Sequence, residues 1–278
     1  MSEEFRAVTR KKWIARKSIN PRLRKLSERS IEKEEKEVDI ETFMKRLESV
    51  CTHMVGSDYF IQAMETVDES LKALTENEKF SRLVCFGIGP FCRNFQALHQ
   101  LAFIICTQRH YSIDEAIYFD PVFRESEKQI LQRLNCALMT ENCEAKYQVD
   151  ERTLFYLPHC PNCLTNNLLW SNWRPQCLKH LVLINNSFES LSLSKPERLL
   201  RLDSSYILDV LPYTKEYQLE DDYETHNVFN DLSVHVFPMA TLPANENDFW
   251  TERAAPTYND VEMISADEFG KLSLTEHS

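Results

Sequence analysis

Glycine is scarce in this chain: four residues among 278. That excludes collagen-like, glycine-rich and propeller architectures. No stretch approaches 18 uninterrupted apolar residues, so no transmembrane helix is expected. The longest apolar stretch, Leu98 to Cys106, already contains His99 and Gln100. The N-terminus, Met1-Ser2-Glu3-Glu4-Phe5-Arg6, has no apolar core of a secretory signal. Positive charge is also short. The formal net charge is −11, which argues against a non-specific grip on nucleic acid. No phosphate-binding Walker loop, Gly-x-Ser-x-Gly nucleophile turn or His-Glu-x-x-His zinc helix occurs, and no internal repeat is visible. Nine cysteines, an odd number, fit a reducing compartment better than a disulfide framework.

The charge is unevenly spread. Residues 10–29 carry nine basic side chains in two clusters, Arg10-Lys11-Lys12 and Arg22-Leu23-Arg24-Lys25. A solvated arm and a nuclear-import signal or acidic-partner site are both open readings. Residues 209–278 hold fifteen acids and three bases. Four regions are therefore expected: a flexible basic arm (1–37), a helical pair packed on the core (38–79), an α/β domain (80–239) and a mobile acidic tail (240–278).

Hydrophobic spacing supports this division. Ile40, Phe43, Met44, Leu47, Val50, Cys51 and Met54 share one helical face. Gly56-Ser57-Asp58 breaks that helix and caps a second, on which Phe60, Met64, Val67, Leu71 and Leu74 repeat. Beyond residue 80, short apolar runs alternate with helical patterns. Strands are predicted at Leu83–Phe86, Ala116–Phe119, Cys136–Met139, Leu154–Leu157 and Leu181–Ile184. Helices are predicted from Phe91 to Ile105, Glu125 to Leu134 and Leu164 to Trp173. Tyr206–Leu211 and Leu232–Phe237 are expected to close the sheet as an antiparallel pair. The alternation predicts an α/β fold: a Rossmann-like, mostly parallel sheet with an N-terminal helical extension.

Ligands of open parallel sheets bind beyond the carboxyl ends of the strands, so the residues there are the site candidates. Gly87-Ile88-Gly89-Pro90 follows the first strand and begins like a nucleotide-binding turn. Cys92 stands where the dinucleotide fingerprint has its third small residue. Asp120 follows the second strand, either as a ribose-binding acid or as a helix cap ahead of Pro121. Pro158-His159-Cys160-Pro161-Asn162-Cys163 follows the fourth. Cys160 and Cys163 have redox spacing, and His159, Cys160, Cys163 and Cys177 are candidate zinc ligands. His159 is otherwise an acid–base group or a histidine bonded to backbone. Asn185-Asn186-Ser187-Phe188 follows the fifth, as ligand contacts or turn formers. The candidate crevice is thus Gly87, Gly89, Asp120, His159, Cys160, Asn186 and Ser187, with no catalytic residue or cofactor assigned and no metal expected.

Several of these segments together carry a family resemblance. They are Cys85-Phe86-Gly87-Ile88-Gly89, Gln100-Leu101-Ala102, and Asp120-Pro121-Val122-Phe123 with Glu127. They continue with Thr153 to Cys160, Asn167-Leu168-Leu169-Trp170 with Asn172-Trp173, and Asn186-Ser187-Phe188. In that order the chain resembles the sensitivity-to-red-light-reduced (SRR-like) family, most closely over residues 80–190. The family has glycine where this chain has Asn185, and Cys163 lies outside its pattern. The resemblance implies a soluble regulator of cytoplasm and nucleus in a circadian-clock input pathway, with animal relatives linked to haem biosynthesis. It implies no established enzyme activity. Expected partners are proteins of no identified kind, with neither membrane nor nucleic acid among them. Two alternatives remain open: a nucleotide- or adenosyl-methionine-dependent enzyme of methyltransferase-like architecture, and a haem- or metal-responsive protein using His159 and Cys160.

Overall fold

The computed structural model describes residues 38–74, 78–245, 248–251, 253–258 and 263–265. The basic clusters of residues 10–29 lie outside the described residues. Two helices, α1 (Ile40–Val55) and α2 (Asp58–Lys72), come first. α1 buries Phe43, Leu47, Cys51 and Met54, the stripe its spacing predicts. Ser57 caps α2, its hydroxyl accepting the Phe60 N–H at 3.2 Å.

Seven strands form one sheet: β1 (Arg82–Phe86), β2 (Glu115–Phe119), β3 (Ala137–Leu138), β4 (Thr153–Leu157), β5 (Leu181–Asn186), β6 (Lys215–Gln218) and β7 (Leu232–Val236). Their order is β3-β2-β1-β4-β5-β7-β6. β7 runs antiparallel to both its neighbours, and the other pairings are parallel. Continuous apolar strands such as Thr153–Leu157 are buried along their whole length, because helices cover both faces. α3 (Phe95–His110) is buried from Ala97 to Thr107, lying between the sheet and α1. α2 lies against β6 and β7. α4 (Glu125–Arg133) follows β2, and α5 (Asn162–Ser171) and α6 (Pro175–Leu178) follow β4. Three short helices lie between β5 and β6: α7 (Phe188–Ser194), α8 (Glu197–Leu200) and α9 (Ser205–Val210). Among the described residues, no helix is long and apolar enough to cross a membrane.

The structure corrects one predicted strand. Tyr206–Leu211 belongs to α9 and the turn after it, not to the sheet. Tyr206, Ile207 and Val210 are buried at helical spacing, and Pro212 has no N–H to give a ladder. The partner of β7 is Lys215–Gln218, a polar edge strand. β5 also continues two residues further than predicted, so Asn185 and Asn186 pair with Ser233 and Leu232 inside the ladder.

Candidate functional site

Strand order reverses between β1 and β4, and the crevice lies beyond their carboxyl ends, where such folds bind ligands. A cavity of about 230 Å³ opens there, walled by Phe86, Gly87, Phe119, Asp120, His159 and Cys160. Four of the seven residues proposed from sequence therefore share one cavity.

The turn after β1 explains both glycines. Gly87 has φ +71° and Gly89 φ +79°, the left-handed region that glycine enters without steric cost. A Cβ on Gly87 would lie 2.3 Å from the Cys160 sulfur, whereas a Cβ on Gly89 would meet nothing within 4 Å. Gly87 is thus required twice, by its dihedral and by the thiol that fills the space beside it. Asp120 fastens this turn. Its Oδ2 accepts the Gly89 N–H at 2.7 Å and its Oδ1 accepts the Val122 N–H at 2.9 Å. Burial raises the Asp120 carboxyl above its ordinary value, against these two bonds. Glu127, fully buried, works beside it. It accepts the Cys92 N–H at 3.3 Å and the Arg124 N–H at 3.0 Å, joining the glycine turn to the start of α4.

The turn after β4 is built around His159. Its backbone is left-handed, φ 52°, a conformation costing a non-glycine residue about 1–2 kcal/mol. Asn186 holds it, accepting the His159 N–H at 2.9 Å through Oδ1 and donating to the Cys160 carbonyl at 3.4 Å. The His159 Nε2 lies 3.1 Å from the Val228 carbonyl, so that nitrogen carries the proton. Gln100 donates to the same carbonyl at 2.8 Å. The ring is therefore held at the rim while the residue stays exposed. Cys160 is buried and donates to the Phe86 carbonyl at 3.4 Å. Burial pushes its thiol far up, with Asp120 adding to the effect. The Cys163 thiol is pushed up to about 11, also by burial. Both thiols are protonated at neutral pH, so the helix-dipole activation expected of a redox pair is outweighed. Among the described residues no group of three His, Cys, Asp or Glu could hold a metal ion.

Ser187 lies elsewhere. It caps α7, accepting the Ser190 N–H at 3.0 Å. It also joins a buried polar cluster around Glu216, whose Oε2 is 3.4 Å from the His235 Nε2. Burial alone would raise the Glu216 carboxyl. The neighbouring His235 and the Ser187 hydroxyl outweigh it and hold the carboxyl at about 2. Asn185 points away from the crevice and donates to Thr165 at 2.9 Å.

The sequence reading did not include four wall residues: Asn142, Ala145, Met263 and Ile264. The described residues after 240 contact the domain, which a free tail does not anticipate. Asn142 donates to the Ile264 carbonyl at 2.8 Å. Met263-Ile264, an apolar pair in an acidic stretch, was the available signal.

Fold and site define the class: a Rossmann-like α/β protein with a crevice at the switch point of its sheet. The SRR1 domain family matches residues 62–236. An SRR1-like protein of Drosophila melanogaster is 45% identical over 273 residues, covering 98% of this chain and 96% of that protein. An SRR1-like protein of Mus musculus is 31% identical, covering 63% and 83%. The Arabidopsis thaliana Protein SENSITIVITY TO RED LIGHT REDUCED 1 is 28% identical, covering 71% and 73%. This chain belongs to the SRR1 family. Among solved structures, that of the plantazolicin methyltransferase BpumL in complex with SAH aligns with a TM-score of 0.34 and 11% identity. It covers 72% of this chain and 99% of that one, a likeness too slight to carry an argument.

Proposed function

We propose that this chain is a regulatory protein in a circadian-clock input pathway, acting by recognition at the strand-end crevice rather than by bond chemistry within it. The observation that carries the reading is the state of the crevice's reactive groups. Both Asp120 oxygens hold backbone N–H groups, and the Cys160 thiol is buried and bonded to a carbonyl. His159, by contrast, is exposed at the rim on a left-handed backbone, and strain retained at an exposed group points to a functional use. Family membership supports the regulatory part, and the name of the plant relative supports a light-dependent input. The reading includes a cytoplasmic and nuclear location, for which the two basic clusters are the support. The test removes the chain from its own cells and records rhythm period and light-induced phase shift. An altered response, restored by the wild type and by Cys163→Ser, is expected. An unaltered rhythm would remove the reading.

A second reading, an adenosyl-methionine- or nucleotide-dependent enzyme, is favoured by one observation. A sheet of order β3-β2-β1-β4-β5-β7-β6 with only β7 reversed is the architecture expected of a methyltransferase-like protein. The residues fit such a group in part. Asp120 ends β2 beside the glycine turn and its carboxylate keeps lone pairs to share. A cavity of about 230 Å³ is nonetheless below the roughly 300 Å³ at which ligand pockets begin. Melting curves with adenosyl-methionine, adenosyl-homocysteine, NAD and ATP test it. Ligand at 100 times its dissociation constant adds about 2.7 kcal/mol. Haem is the weaker case. The Cys160 sulfur is buried against Phe86, and the His159 Nε2 is engaged by Val228.

A further inference from the structure

Cys163, Asn166, Asn167 and Trp170 recur at i, i+3, i+4 and i+7, one stripe of α5. Two of them are buried amides, Asn166 at 1% and Asn167 at 0% exposure. The described residues after 247 meet this stripe in the order opposite to the helix. Its first contact is aromatic: Phe249 and Trp250 stand 5.0 and 5.4 Å from the Trp173 ring, and the Trp173 indole donates to the Phe249 carbonyl at 3.0 Å. Trp170 then donates to the Arg253 carbonyl at 3.0 Å, while the Arg253 guanidinium pairs with Asp209 at 2.7 Å. Further along, the Tyr258 hydroxyl accepts from Asn166 at 3.0 Å and donates to Asn167 at 2.8 Å. At the far end the Met263 sulfur is 3.7 Å from the Cys163 sulfur, and Met263 and Ile264 reach the crevice wall.

We propose that the described residues of this segment (248–251, 253–258 and 263–265) form a strap that is clamped at Trp173, lies along α5 and closes the strand-end crevice with its tip. The contacts grade from firm to exchangeable. The clamp is three aromatic rings, a large apolar area. The anchors nearer the tip are polar, hydrogen bonds and one ion pair, which water can replace. Asn166 and Asn167 keep other partners when the tyrosine leaves: the Tyr206 N–H at 2.7 Å and the Glu144 carbonyl at 2.9 Å. The tip can therefore lift while α5 stays bonded. Met263 and Ile264 supply wall to a cavity too small for a nucleoside-sized molecule, so lifting them is what enlarges it. The strap rests on its own contacts, whichever ligand the crevice takes.

The test measures maleimide labelling of Cys163 in the full-length protein, read by mass spectrometry of its peptide. Cys163 is buried beside Met263 and labels only when uncovered. Tyr258→Phe removes the hydrogen bonds that its hydroxyl makes with Asn166 and Asn167 and raises the rate about tenfold or more. Ile264→Asp sets a charge against the apolar wall and raises it about tenfold or more. Cys85, buried in β1, is the internal control, because only global unfolding exposes it. The proposal stands if Cys163 labels faster in both variants while Cys85 does not. It is overturned if the Cys163 rate is unchanged, or rises only in step with Cys85.

Discussion

Gly87→Ala probes the junction that shapes the crevice. The new Cβ would sit 2.3 Å from the Cys160 sulfur, at φ +71°. Holding a non-glycine residue in the left-handed region costs about 1–2 kcal/mol. Forcing a methyl group into a filled core position costs about 1–3 kcal/mol more. The single variant should therefore lose about 2–5 kcal/mol. Cys160→Ala alone removes one buried heavy atom and costs about 1 kcal/mol. If the two costs were independent they would add. The structure predicts otherwise. Removing the sulfur abolishes the overlap and leaves the dihedral strain, so the double variant should recover about 1–3 kcal/mol relative to the sum. Gly89→Ala is the contrast. It carries the same strain but meets nothing, so its loss of about 1–2 kcal/mol should be equal with and without Cys160. Urea unfolding followed by tryptophan fluorescence, with unchanged slopes, gives these differences. Additive losses for Gly87→Ala and Cys160→Ala, within about 0.5 kcal/mol, would refute the packing described for this turn.

Three further outcomes follow from the same geometry. Asp120→Ala should cost about 1–3 kcal/mol, since two partly buried N–H groups lose a charged acceptor, measured by the same urea titration. Glu216 is held at about 2 when folded against about 4.5 unfolded. Its contribution is therefore complete above pH 4.5 and is lost as pH falls toward 2. The acid-side loss should be roughly 3 kcal/mol steeper in the wild type than in Glu216→Gln, read from melting curves between pH 6 and 2. The Cys160 thiol should resist a disulfide reagent at pH 8 in the native protein and react only on unfolding. Rapid native labelling would contradict its buried, protonated state.

Much of the fold was legible because a buried parallel strand is an apolar run with no polar face to confuse it. Leu154–Leu157 and Leu181–Ile184 are of this kind. The crevice was legible for a related reason. Parallel topology sends every βα loop to one end of the sheet, so Gly87, Asp120, His159 and Cys160 had to meet. β6 was not legible, because an edge strand reading Lys-Glu-Tyr-Gln buries too little to show a pattern. α9 was misread because a short apolar run suits a buried helix as well as a strand. Ser187 sat close to the crevice in sequence, yet it turns toward Glu216 and the β6–β7 side. The strap depends on contacts about 90 residues apart, such as Tyr258 with Asn167, which no local period records.

The central claim is that the strand-end crevice is the working part of a regulatory protein, and one rescue experiment tests it most directly. Val122 lines the cavity and is 42% exposed, so Val122→Trp fills the mouth without entering the core. Cells lacking the chain would receive either the wild type or this variant at equal abundance, and rhythm period and light-induced phase shift would be recorded. The account predicts that the wild type restores both and Val122→Trp restores neither, while its melting temperature stays within a few degrees. Full rescue by Val122→Trp would contradict the claim and move the function to another surface.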